Sequence, residues 1–151
     1  MIALRELTAD IARYLTLQTG TAAFCQRVSS AVYPCLTVEA AGKSAGIIAC
    51  GRQVERQVMV TVTCWPSRQR GREEGLELAD GVYGALVSGF CACGRGFCPR
   101  EAEIRIDEQE CCRVVFLLEF CDTPDVRKSE SPVAETMGAL SLRLEQEMEG
   151  S

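Results

Sequence analysis

The chain has 151 residues, 47% hydrophobic and 25% charged, which is the composition of one ordinary globular domain and too short for two full ones. A net charge of -5 disfavours general attraction to a phosphate backbone, and the absence of histidine removes the Ser-His-Asp and Cys-His forms of nucleophilic catalysis. No apolar stretch approaches the ~20 residues of a membrane span, and Met1-Ile2-Ala3-Leu4-Arg5-Glu6 puts charges where a secretion signal has its apolar region, so neither a membrane nor export is expected.

Leu4, Leu7, Ile11, Tyr14 and Leu15 recur at steps of three and four, which predicts a helix over residues 2–18, and Gly20 fits its stop. Residues 31–40, rich in β-branched and aromatic side chains with Pro34 near the beginning, read as a short strand. Residues 41–52, with Gly42, Gly46 and Gly51 and no period, read as a long connection between two strands. Excess length in such a connection suggests use as a contact surface, so Gly42, Lys43, Gly46, Ile47 and Arg52 are the candidate interaction loop. Val58, Val60, Val62 and Cys64 alternate with Gln57, Met59, Thr61 and Thr63, the clearest strand signal in the chain.

Arg68, Arg70 and Arg72 stand beside Glu73 and Glu74 without interleaved aromatics, so they read as a solvated loop and not as a nucleic-acid stripe. Glu73 and Glu74 then open a helix over residues 72–88, with Leu76, Ala79, Val82, Tyr83, Leu86 and Val87 as its apolar stripe. Cys91–Pro99 reads as a turn or loop from its glycines and proline. Ala102, Ile104 and Ile106 alternate with charged residues in a half-exposed strand over 101–107. It is expected to pair as a hairpin with residues 111–121, where Cys112, Val114, Phe116, Leu118 and Phe120 share one face. Residues 125–130 form a polar linker. Ser131-Pro132 starts a C-terminal amphipathic helix carrying Val133, Met137, Leu140 and Leu144, so 1–124 is expected as the domain and 125–151 as linker plus helix.

Ten cysteines are the compositional oddity. Without an export signal a disulfide scaffold is not expected, and the thiols are expected to be mostly reduced and buried, Cys64 and Cys112 among the core valines and phenylalanines. Cys91, Cys93 and Cys98 with Cys111 or Cys112 are the candidates for a structural zinc site, but Cys91-x-Cys93 lacks the Cys-x2-Cys spacing that turns both sulfurs inward. No metal and no cofactor is therefore expected. Although Lys43-Ser44 follows Gly42, the glycines at 42, 46 and 51 lead into a strand and lack the strand, glycine-rich loop and helix order that makes a phosphate loop, and the paired acids fall in turns or a first helical turn.

Helix, strand, long connection, strand, helix, strand, strand, helix describes an α+β domain, a mostly antiparallel sheet with helices packed on one face. This order resembles that of small phage tail terminator proteins of siphophages, myophages and related prophage elements. The resemblance is carried by the N-terminal helix, Pro34-Cys35-Leu36-Thr37-Val38, the strand Arg56–Trp65 followed by a helix containing Ala79–Leu86, and the strand ending Val114–Phe120. It covers residues 1–122. The resemblance implies a non-enzymatic ring, expected to hold six copies, which caps the tail tube, ends its polymerisation and forms the tail side of the head-tail joint. The implied partners are other copies of the chain, the tail tube protein and a neck or head-completion protein. The implied location is the virion tail, assembled in the host cytoplasm. Another neck or head-completion protein of the same region is the alternative, and a cysteine-dependent metal or redox protein is a second of a different class.

Overall fold

In the computed structural model the described residues are 1–26, 32–48, 53–107 and 111–123, with only the backbone described at 44–48. They fall almost entirely within one compact unit, Ile2–Asp122; a second unit groups Met1 with Thr123–Ser151. The C-terminal helix expected after Ser131 lies outside the described residues.

Helix α1 (Leu4–Thr19) forms where the three-four spacing places it, with Leu7, Ile11 and Leu15 on its buried stripe. Each fully buried side chain of this size contributes about 1.5–3 kcal/mol of transfer free energy. Gly20 ends the helix in the left-handed region at φ 75°, and its N–H donates to the carbonyl of Thr16. Strand β1 (Ala23–Phe24) then runs parallel to the start of β2 (Cys35–Ile48), and β2 pairs antiparallel with β3 (Gln53–Trp65).

Here the expected long connection is overturned. Gly42, Lys43, Gly46 and Ile47 are strand residues, and the ladder between β2 and β3 continues to the pair Ile48↔Gln53, so only residues 49–52 separate the strands. Side-chain periodicity is weak in 41–48 because the segment is small and glycine-rich. Backbone pairing with a strongly patterned neighbour makes the strand instead, with a register shift between Gly42 and Ser44 where the extra residue is absorbed. Arg52 lies outside the described residues.

Helix α2 (Gly71–Val87) follows, then a small hairpin of β4 (Phe90–Ala92) and β5 (Arg95–Phe97) where the sequence reads as loop. Its two-residue turn, Cys93 at φ 53° and Gly94 at φ 71°, has the positive dihedrals that two-residue hairpins require. Cysteine in the position usually held by Asn or Asp hides this signal. Strands β6 (Arg100–Ile106) and β7 (Cys112–Asp122) pair antiparallel as expected, completing a five-stranded sheet in the order β1-β2-β3-β7-β6.

Even-numbered residues of the central strands point to one face. Leu36 and Val38, Val58 to Cys64, and Cys112 to Leu118 lie beneath both helices with their side chains essentially sealed from solvent. Helix α1 packs over β2, and α2 over β7, β6 and β3. Gly75 faces the Cys112 sulfur, which a β-carbon there would meet at 3.4 Å, an ordinary contact distance. At the far end, where α1 begins, a polar cluster closes the face. The Ile2 backbone N–H donates to the Asp122 carboxylate at 2.7 Å, and the Arg56 guanidinium donates to the Ile2 carbonyl at 2.6 Å and to Asp122 at 3.1 Å. Phe120 lies beneath the guanidinium, 5.3 Å from its carbon.

The fold is thus α+β, with a mostly antiparallel sheet and helices on one face.

Candidate interaction surface

No helix among the described residues covers the opposite face of the sheet. Odd-numbered residues form its rows by register: Thr63 between Thr37 and Arg113, Thr61 between Glu39 and Val115, Met59 between Ala41 and Leu117. Gln57 crosses to Glu119 with a 2.7 Å hydrogen bond. Thr37 and Thr63 are nevertheless buried, because Trp65 folds along this row and its indole N–H donates to the Thr37 hydroxyl at 3.0 Å.

A half-open cavity of about 450 Å³ lies on this face, lined by Glu39, Thr61, Thr63, Trp65, Arg105, Asp107 and Arg113, with Val115 on its floor strand and Ile106 at the end of β6. The register sets Arg105 directly opposite Arg113, an arrangement of like charges that destabilises a pair unless each is compensated. Each is compensated locally. Arg105 pairs with Glu103 at 2.6 Å and Arg113 with Asp107 at 3.0 Å. The Arg105 side chain holds the Glu103 carboxyl below its ordinary range. The cavity therefore offers two hydroxyls, an indole and a balanced set of charges, a lining suited to a polar surface.

Both sheet edges are also open among the described residues. Strand β1 shields β2 only at Leu36 and Thr37, leaving β2 without an outer neighbour from Val38 onward, and β6 has none along its whole length. Beside the β2 edge runs a shallow groove of about 270 Å³ between α1 and the strand, lined by Leu4, Arg5, Thr8, Cys25, Val38 and Ala40 together with Glu39. At the β6 edge, Ile104 and Ile106 are 36% and 42% exposed, apolar side chains that α2 covers only in part. Their partners in register, Val114 and Cys112, lie on the helix-covered face, so register places the two isoleucines on that face, although Ile106 at the strand end also borders the cavity.

The cysteine candidates do not converge. Cys91 and Cys98 are exposed, Cys93 is half-buried in the β4–β5 turn, and Cys112 is buried in the main core. No group of three or more metal-ligating side chains occurs among the described residues. Cys93 instead has a structural role, its backbone N–H donating to the Asp10 carboxylate at 2.7 Å, which together with Arg13 holds that carboxyl below its ordinary range. Cys64 and Cys112 are neighbours in register within the core, and burial raises both thiols, Cys64 to about 12. The expectation that the thiols are mostly buried is corrected. Of the described cysteines only Cys35, Cys64 and Cys112 are buried, while Cys25, Cys91, Cys98 and Cys121 are exposed. The exposed ones sit at turns, strand ends and odd-numbered positions where nothing packs.

Gly42, Lys43, Gly46 and Ile47 continue β2, with Lys43 exposed. The cavity residues Glu39, Thr61, Thr63, Trp65, Arg105 and Arg113 went unmarked by sequence reasoning. A signal for the threonines existed, since a period of two that buries Val60 and Val62 must present Thr61 and Thr63 on the other side. Convergence of Arg105 and Arg113 depends on the β6–β7 register, which no single segment reveals. No helix among the described residues is long and apolar enough to cross a membrane. Comparison with protein-family models and with curated proteins finds no match.

Proposed function

We propose that the chain is a non-enzymatic structural subunit that closes into a ring on a phage tail tube, ends tube polymerisation and forms the tail side of the head-tail joint. The observation that carries this reading is a sheet covered on one face and open on the other and at both edges among the described residues. A ring subunit needs this kind of surface, because it meets two neighbours through different patches and still has to present surface to the tube and to the neck. The order α1, β2, β3, α2, β6, β7 is also the order on which the resemblance to tail terminators rests. In this reading the partners are further copies of the chain, expected as six, the tail tube protein and a neck or head-completion protein. The subunit assembles in the host cytoplasm and acts in the virion tail.

The test is tail length. Without this chain, tails should be overlong and fail to join heads, and supplying the chain should restore normal ones. Normal tails in its absence overturn the reading. Headless tails of normal length assign the chain to the neck instead, since a neck protein joins finished tails without setting where the tube stops.

A further inference from the structure

We infer that copies of this chain join edge to edge, with the β6 segment Glu103–Ile106 of one copy adding antiparallel to the open β2 edge at Val38–Ala41 of the next, Arg105 facing Glu39 and Ile104 and Ile106 seated in the groove between α1 and β2. This deepens the ring reading and rests on it for the closure of the assembly.

Strand direction permits the junction. In the sheet order β2-β3-β7-β6 every contact is antiparallel, so β6 runs opposite to β2. Rotation about an axis parallel to the strands preserves strand direction, so the β6 of one copy meets the β2 of its neighbour antiparallel, with the helices of all copies on the same side. The repeated contact is heterologous, and it closes when the rotation divides a full turn.

Irregularities in both strands set the segment. The register shift between Arg100 and Glu103 takes the first part of β6 out of regular pairing, and the shift between Gly42 and Ser44 does the same beyond Gly42 on β2. Bulges and charges commonly protect edges from unwanted pairing, and among the described residues they leave one short regular stretch unprotected on each side.

The side chains of those stretches match. Placing Arg105 opposite Glu39 sets Ile104 opposite Ala40 and Ile106 opposite Val38. On the helix face two exposed isoleucines thus meet the apolar part of the groove, lined by Leu4, Val38 and Ala40. On the open face Arg105 meets Glu39, an exposed carboxylate that forms no ion pair with any described residue. A one-residue slip would turn the isoleucines to the wrong face and set Glu39 against an isoleucine, so the pattern specifies the register.

Solution mass measured from micromolar to millimolar concentration tests the junction with the full chain, Glu39→Arg, Arg105→Glu and the double reversal, with circular dichroism confirming that each folds. Wild type should assemble with concentration. Each single reversal puts like charges at every junction and should raise the concentration needed roughly tenfold, and the double reversal should recover most of the loss. Ile106→Asp, at an exposed position that leaves the core intact, should abolish assembly. An assembly indifferent to all four variants overturns the edge junction and leaves the tail reading standing. Assembly that follows the charge reversals, in a chain whose loss leaves tails normal, breaks the tail reading and keeps the junction. A wild-type chain that is monomeric at millimolar concentration overturns the junction whatever the tail assay returns.

Discussion

The two faces of the central sheet are built from the same strands and obey opposite rules. On the covered side Val58, Val60 and Val62 are fully buried beneath the helices, while one residue along the same strand Thr61 is half-exposed beside a cavity framed by ion pairs. Alternation alone accounts for which residues face which way; the helices decide which face becomes core. The covered face therefore carries most of the stability, and the other face, where Val115 and Leu117 are buried along β7, leaves its outer rows for recognition.

The largest effect expected from this division comes from deleting volume on the covered side. Phe116→Ala should cost about 3–5 kcal/mol in denaturant unfolding, whereas Thr61→Ala should stay within about 0.5 kcal/mol. Equal costs would mean that the open face is packed as tightly as the core, and the contrast would fail.

A smaller effect locates the border of the covered face. Asp122 accepts from the Ile2 N–H and from Arg56, with the two ion-paired side chains only 9% and 14% exposed. Asp122→Ala leaves the cation without its carboxylate and should cost about 2–3 kcal/mol, short of the value for a wholly buried pair because some solvent reaches both groups. A change below about 0.5 kcal/mol would show that the cluster merely decorates the end of the sheet.

The finest probe is alkaline pH. The Cys64 thiol, ordinarily near 9.0, is raised by burial to about 12, with Cys112 and Cys111 adding to the shift. Between these values the unfolded chain releases the proton and the folded chain retains it. Stability is therefore full below pH 9 and falls as pH rises beyond it, by about 1.4 kcal/mol per pH unit from this group. Thermal unfolding of wild type and Cys64→Ala from pH 8 to 10 under reducing conditions should show the variant less stable at pH 8 but less sensitive to the rise. Parallel slopes would place the thiol outside the sealed core.

Periodicity made much of this architecture legible. The helical stripes of Leu7, Ile11 and Leu15 and of Ala79, Val82 and Leu86, and the alternation through Val58–Cys64 and Cys112–Phe120, are long runs in which burial imposes one period. Where burial did not write the pattern, the reading failed. The outer half of β2 is small and glycine-rich and owes its strand to backbone pairing with β3, and the β4–β5 turn uses Cys93 at a dihedral more often served by asparagine. The cavity was illegible for a different reason. Glu39, Thr61, Arg105 and Arg113 come from four strands, and what unites them is register, a relation between segments.

The pairing of β3 with β7 also bears on the chain as it is being synthesised. Cys64 finds its neighbour Cys112 only 48 residues later, and Val54 waits 68 residues for Asp122. At ordinary translation speeds the last residue of β7 follows the last residue of β3 by several seconds. During that interval β2 is the one of β3's two final neighbours already made, so the central strand of the finished sheet is an edge strand in the nascent protein until β7 arrives. Its unpaired edge is then open to any passing strand, while its alternating valines can be covered by α1, already made, and by α2, the helix described between the two strands.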